Sequence, residues 1–364
     1  NWLRVYEIVT CGMKRAQPVD KQCDVCRSSD AMVPFVEAGL VGVGSVWIHQ
    51  CGICGFRQIR PRLEVLDLDA LYGGDYFDTD APHGFRNYAR QKQRYERDAF
   101  FFAKELNALK PSGRLLEIGS ALGFFLGAVS QQTRWLVEGV EVSAFGAWYA
   151  RDRFNVTVHQ GTLEEADLSS ESFDYILQKD LLEHVLQPRQ HLEETWRIMR
   201  PKARMRLITP NGEADIRPLE RVSMSSTEVP VLGQGHLSFF SRSQLLRLLR
   251  ETGFRVLHFR NIGLRRGIRA LGFLPWSKQV IPCAPRESLV QAGKANKGSR
   301  LASVDDHQRR ADRIDTEIIR SDSYLRRWRG YYYYRHLMKR FDALPAAVTI
   351  GQDFDVVVEK IEKS

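Results

Sequence analysis

Between residues 111 and 262, short apolar runs and helical patterns alternate along the chain. Leu115, Leu116 and Ile118 read as a short buried strand. Gly119, Ala121 and Gly123 then make a small-residue turn into an apolar helix that begins near Phe124. The same reading predicts strands over 135–141, 156–159, 173–177 and 205–208. Helices are predicted over 144–154 and 181–199, the second strongly amphipathic. Another helix over 239–252 and a strand over 254–259 follow, and a last strand, 354–358, appears just before the end. Upstream, Tyr95, Ala99, Phe102, Leu106 and Leu109 recur at helical spacing within 88–109, and Pro111 and Gly113 end that helix. Strands separated by helices imply an α/β fold built on a seven-stranded, mostly parallel sheet. Ligands then sit at the carboxyl ends of the strands.

The first sixty residues follow a different rule. Cys23 and Cys26 form one C-x-x-C, Cys51 and Cys54 another, and Gly52 and Gly55 flank the second pair. Each pair can aim two thiolates at one ion. The alternation over 41–48 predicts a hairpin strand that closes the gap between them. A zinc ribbon results, with four sulfur ligands, no open position and therefore a structural Zn2+. Reduced core cysteines or disulfides are the other reading. Cys11 and Cys283 have no partner knuckle and are expected as buried thiols. These patterns divide the chain into a ribbon (1–62), an aromatic-rich linker and helix (63–110), a core (111–262), a basic and aromatic helical insertion (263–350) and the last core strand (351–364).

Composition narrows the class only slightly. Of 364 residues, 43% are hydrophobic and 27% charged, enough to bury a sizeable core. No apolar run of about 18 residues and no basic-then-apolar leader pattern occur, so a cytoplasmic location is expected. The formal net charge of +9 favours anionic partners.

The turn after the first strand identifies the ligand better through its acids than through its glycines. Gly119-Ser120-Ala121-Leu122-Gly123-Phe124 lacks two glycines of the dinucleotide fingerprint. Glu117, two residues before the turn, suits a ligand carrying ammonium or sulfonium charge and would repel a pyrophosphate. Glu141, at the end of the second strand, can accept hydrogen bonds from two ribose hydroxyls.

Here the chain resembles the class I S-adenosylmethionine-dependent methyltransferases, whose fold is Rossmann-like. Leu116 to Gly123 is similar to their first motif, with Ala121 where Gly is frequent, and Gly139 to Ser143 to their second. Gly161-Thr162-Leu163-Glu164 looks like the loop that contacts adenine. Leu182-Glu183-His184-Val185 and His236-Leu237-Ser238-Phe239-Phe240 resemble two later elements. The resemblance covers about residues 85–262 and returns at the last strand. It implies S-adenosylmethionine as cofactor, held by Glu117, Gly119, Ala121, Gly123, Glu141, Val142, Thr162, Leu163 and Gln178. A four-cysteine ribbon, a Tyr- and Phe-rich segment and this domain together are similar to bacterial methyltransferases of sugar, polysaccharide and natural-product pathways.

Methyl transfer from a sulfonium needs alignment first, and a base only when the acceptor is a hydroxyl or a carbon acid. His184 and His236 are the candidate bases. A histidine fixing a helix start, with Asp180 and Glu183 as a capping pair, is the other reading of His184, and a structural role that of His236. Tyr72 and Tyr76 either line an acceptor pocket or pack. Ser288–Arg310 reads as a polar, mobile stretch. The basic and aromatic run from Tyr324 through the tyrosines at 331–334 can cover the substrate site, touch an anionic inner-membrane surface or lipid-linked acceptor, or hold nucleic acid. Two functional classes remain: methylation of a small-molecule or glycan acceptor, which is favoured, and RNA methylation using the ribbon and basic tail.

Overall fold

The computed structural model describes residues 21–40, 43–63, 72, 76–77, 88–220, 228–232, 235–263, 283–285, 303–325 and 353–362. Cys11, most of the 63–87 linker and the basic–aromatic run from Arg326 onward lie outside these residues. Among the described residues no helix is long and apolar enough to cross a membrane.

Strands β1 (Met32–Leu40) and β2 (Gly44–Cys51) form the expected hairpin, and β3 (Arg57–Arg60) pairs antiparallel with β2. Helix α1 (Lys92–Leu109) buries Ala99, Phe102, Ala103 and Leu106, one stripe at three- and four-residue spacing. Then the alternation begins: β4 (Arg114–Ile118), α2 (Phe124–Ser130), β5 (Leu136–Glu141), α3 (Ala144–Phe154), β6 (Thr157–Gln160), β7 (Phe173–Lys179). Ser143 starts α3 by accepting from the Gly146 N–H at 3.3 Å, and Asn155 ends it in the left-handed conformation.

The chain departs from its periodicity after β7. The predicted helix over 181–199 is broken into a 3-10 turn, Leu182–His184, and helix α4, Pro188–Ile198. Val185 is already extended, and Gln187 leaves the helical region because proline crowds the residue before it, while Pro188 itself fits the first helical turn. The break leaves His184 in a turn rather than on a helix face. After β8 (Met199–Pro210) come α5 (Gly212–Glu220), β9 (Glu228–Pro230) and the two-residue β10 (Ser238–Phe239). Helix α6 (Arg242–Glu251) therefore starts three residues later than the pattern predicts, behind a capping box of Ser241 and Gln244. The chain closes with β11 (Phe254–Ile262), β12 (Cys283–Pro285), α7 (Val304–Leu325) and β13 (Asp353–Lys360). Two expectations change in this last part: residues 304–310 are helical, and Cys283 is exposed.

The main sheet has seven strands in the order β11-β13-β8-β7-β4-β5-β6. β4, β5, β6, β7 and β8 run parallel, and β13 is antiparallel between β8 and β11. Strand order reverses between β4 and β7, so a crevice opens at their carboxyl ends. The cysteine-bearing sheet is not a free-standing module, because β10 adds to it as a fourth strand beside β3. Cys23, Cys51 and Phe56 share one buried cluster with Leu116, Ile176 and Leu245 of the main domain. Phe56 stacks on Phe240 at 5.0 Å.

Candidate active site

The crevice is built first from backbone. Gly119 and Gly123 adopt φ of +78° and +73°, and between them Ala121 takes +50°. A left-handed alanine costs about 1–2 kcal/mol, which explains why glycine suits that place. A Cβ on Gly123 would lie 2.6 Å from the Ala150 Cβ, so α2 and α3 pack too closely for any side chain there. The N–H groups of Gly119 and Ser120 both donate to the Val140 carbonyl, at 2.8 and 3.1 Å, which folds the turn over the end of β5.

Both acids of the sequence reading converge on this turn. The Glu141 carboxylate accepts from the Ala121 N–H at 2.7 Å and the Ser143 N–H at 2.8 Å. Burial raises its pKa, and these N–H groups, with that of Val142, oppose the rise. Glu117 is pushed up to about 8, first by burial and then by Glu141, against the pull of Lys179. Its Oε2 and the Ser120 hydroxyl are buried without a hydrogen-bond partner among the described residues. A buried acid held neutral at an orphaned oxygen is completed by a cation, which ionises it and satisfies it at once. The residues present thus fit a ligand with an ammonium or sulfonium group and ribose hydroxyls.

The other predicted cofactor residues are placed less uniformly. The Gly161 N–H donates to the Glu141 carbonyl at 2.9 Å, bringing the 161–163 loop to the crevice. Within it the Thr162 N–H and hydroxyl are used by Glu165 at 2.8 and 3.3 Å, and the Leu163 side chain lies in the main core. Val142 is half-buried beside Glu141. Gln178 is the clear departure. Its amide bonds Thr195 at 3.0 Å and His191 at 3.1 Å, so its side chain is committed to α4 and not to the crevice.

Opposite the turn lies a second polar group. Gly119 faces Leu181, three residues before His184: a Cβ on Gly119 would sit 3.2 Å from the Leu181 Cδ1. His184 Nδ1 is 3.2 Å from the Gly235 carbonyl and 2.7 Å from the Tyr72 hydroxyl. A carbonyl can only accept, which selects the tautomer protonated at Nδ1 and leaves a lone pair on Nε2. Burial, then the charge of His236, lowers the His184 pKa to about 3, so this imidazole is neutral. His236, whose ring is 5.0 Å from that of His184, behaves oppositely. Burial lowers its pKa, but the Asp215 carboxylate, 2.8 Å from Nδ1, outweighs burial and raises it to about 9. Glu183 accepts from the Thr209 hydroxyl at 2.8 Å, and burial lifts its pKa to about 8. It caps no helix, so the capping reading of Asp180 and Glu183 fails. Tyr72 and Tyr76 meet edge to face at 5.2 Å, and Tyr76 feels both Glu141 and Glu183. The two tyrosines therefore lie between the two polar groups.

Sequence reasoning missed Asp215 and Thr209. No local signal could have found them, since each reaches its partner across the fold.

The four cysteines come together as expected. Cys23 and Cys54 are 3.6 Å apart at sulfur, as are Cys26 and Cys51, and all four sulfurs lie within 4.8 Å of one another. These separations exclude disulfides, whose S–S length is about 2.05 Å. They match the edge of a tetrahedron with Zn–S bonds of about 2.3 Å, which is roughly 3.8 Å. The donor set fits zinc.

Comparison with known proteins agrees with this geometry. A family model described as a methyltransferase domain matches residues 88–259. A protein of Mycolicibacterium smegmatis named "Probable S-adenosylmethionine-dependent methyltransferase" is 24% identical over 185 residues, 46% of this chain and 68% of that protein. A SAM-dependent methyltransferase of Thermotoga maritima is 26% identical, with a TM-score of 0.35, over 48% of this chain and 81% of that one. An S-adenosylmethionine-dependent methyltransferase of Mesorhizobium loti is 19% identical, with a TM-score of 0.35, over 43% and 82%. The family match over residues 88–259 and the curated relative support an S-adenosylmethionine-dependent methyltransferase domain in this chain, and with it an enzyme.

Proposed function

We infer that this enzyme methylates a small hydroxylated acceptor: a saccharide, free or carried on a nucleotide or lipid, or a related natural product. The observation that carries this reading is the cluster of Tyr72, Glu183, His184 and His236. Glu183 and His236 are buried in it, Tyr72 and His184 half-buried, and all four offer hydrogen-bonding groups to a polar molecule. S-adenosylmethionine, when bound, supplies an electrophilic methyl group on its sulfonium. Glu117 meets the cationic part of the cofactor, and Glu141 turns its carboxylate from the turn N–H groups to the ribose hydroxyls. The aromatic segment of Tyr72, Tyr76 and Phe77 excludes water and aligns the acceptor. Neutral His184 is suited to accept a hydrogen bond from the acceptor hydroxyl at Nε2 and so orient it, its low pKa making it a weak base, and His236, paired with Asp215, to hold charge beside it.

Helix α7 supports the cover reading of the insertion. The Tyr149 hydroxyl donates to Asp315 at 2.6 Å and Arg153 to the same carboxylate at 3.0 Å, which docks α7 on α3. Ala311, Ile314 and Ile318 join the aromatic cluster of Phe77, Phe124 and Phe145. The zinc is structural in this reading, and the described residues of 21–62 serve as a brace for the catalytic loops.

The test is turnover of S-adenosylmethionine to S-adenosylhomocysteine with panels of saccharides, nucleotide sugars and lipid-linked sugars, and with RNA. Product with a small hydroxylated acceptor is expected. Product with RNA alone overturns the reading.

A further inference from the structure

We propose that Glu183, His184 and His236 form a second metal site, for a divalent transition-metal ion, at the acceptor end of the crevice. One donor atom from each residue lies within 4.8 Å of the other two, and His184 Nε2 is 3.8 Å from Glu183 Oε1. The side chains of Glu183, His184 and His236 are 2%, 14% and 9% exposed, so the group is shielded from bulk water.

Each of the three spends its outer atom on a neighbour. The Asp215 carboxylate holds His236 Nδ1 at 2.8 Å, the Gly235 carbonyl faces His184 Nδ1 at 3.2 Å, and the Thr209 hydroxyl donates to Glu183 Oε2 at 2.8 Å. A carboxylate or carbonyl on the far nitrogen of an imidazole, and a hydroxyl on the far oxygen of a carboxylate, are how proteins orient metal ligands. The inner atoms are then left over. Glu183 Oε1 is buried and has no hydrogen-bond partner among the described residues, an orphaned acceptor that a cation beside the imidazoles would satisfy.

Two imidazoles and one carboxylate select the metal by chemistry. They suit Zn2+, Mn2+ or Fe2+, whereas Mg2+ and Ca2+ prefer oxygen throughout. Bonds of about 2.0–2.2 Å place ligand atoms roughly 3–3.5 Å apart, so loading shortens the donor separations, now within 4.8 Å, by up to about 1.3–1.8 Å. Glu183 and His184 sit in the 3-10 turn and His236 in the segment before β10, both short connections that can make that adjustment. An acceptor oxygen bound to the ion becomes more acidic. Such an ion takes the place of a proton on the inner nitrogen of His236 and acidifies the acceptor oxygen, and the inference deepens the acceptor reading above by naming what activates the hydroxyl. It requires a buried acceptor site at this cluster but not that the acceptor be a saccharide.

Mn2+ is the probe, because a hard ion leaves the four-thiolate cluster to zinc. The zinc-loaded full chain is titrated with Mn2+ and followed by electron paramagnetic resonance, with S-adenosylmethionine affinity measured on the same samples by calorimetry. One Mn2+ per chain is expected. Glu183→Gln and His236→Gln should abolish it, and Asp215→Asn should weaken it about 10- to 100-fold with cofactor affinity unchanged. A wild-type chain that binds no Mn2+, or a Glu183→Gln variant that titrates like wild type, overturns the metal site. Neither result touches the methyl-transfer reading, which fails instead if cofactor affinity is absent while Mn2+ binds.

Discussion

The Gln58 side chain donates to the Ser238 hydroxyl at 3.1 Å, joining two buried residues 180 positions apart. It also reaches the Leu186 carbonyl at 3.4 Å. Between these contacts the Leu237 N–H donates to the Glu183 carbonyl at 2.8 Å, and the Ile59 N–H to the Leu237 carbonyl at 2.9 Å. The cysteine-bearing sheet therefore clamps both histidine-carrying segments from below.

From this clamp, Gln58→Ala is expected to destabilise the fold by about 1–3 kcal/mol, since it leaves the buried Ser238 hydroxyl without its donor, while the Leu186 carbonyl keeps the Arg62 guanidinium at 2.9 Å. Methyl transfer should fall more than cofactor affinity does, because β3 touches the histidine segments and not the glycine turn. Urea denaturation together with the two assays checks this. Equal losses in both assays would argue against the clamp.

Cys51→Ser should lower the zinc content and the melting temperature of the whole chain in one transition. Cys51 and Cys23 belong to the same buried cluster as Leu116 and Ile176, so the ribbon has no boundary at which to melt alone. Two separate calorimetric transitions would show the ribbon to be independent.

Glu141→Ala removes the acceptor for ribose and also frees the N–H groups of Ala121 and Ser143. At about 1.5–3 kcal/mol for a charged hydrogen bond, cofactor affinity should drop roughly 10- to 100-fold or more. The fold should survive by circular dichroism. Unchanged affinity in calorimetry would remove Glu141 from the cofactor site.

Glu117 sets a pH dependence. Its folded pKa of about 8 lies above the ordinary carboxylate value, so its contribution to ligand-free stability is full at low pH and is lost as pH rises through about 8. A cationic cofactor binds the ionised form, so binding at pH 6 should release close to one proton and binding at pH 9 almost none. Calorimetry in buffers of different ionisation enthalpy reads that number. Glu117→Gln should abolish the release, and a release that persists in this variant would assign the proton elsewhere.

Much of this architecture was legible along the chain because it is local. The burial of Leu115, Leu116 and Ile118, the turn of Gly119, Ala121 and Gly123, the stripe on α1 and the two C-x-x-C knuckles follow from periodicity and from residue types with special backbone or ligand chemistry. The carboxylate pair of Glu117 and Glu141 was legible too, since strand ends carry side chains into the crevice. Where local rules competed, the pattern misled. Amphipathic spacing over 181–199 hid the break at Pro188, and apolar residues at 239–240 read as helix although β10 belongs to the cysteine sheet.

The sequence by itself determined the sheet, the turn, the acids and the sulfur cluster, through spacings of a few residues. Only the tertiary structure decided what the histidines are. Asp215 reaches His236 from another helix, Thr209 reaches Glu183 from another strand, and Gln58 ties both segments to the ribbon. Burial and the charge of His236 lower the pKa of His184, and Asp215 raises that of His236; burial and neighbouring charge are properties that no stretch of chain carries on its own.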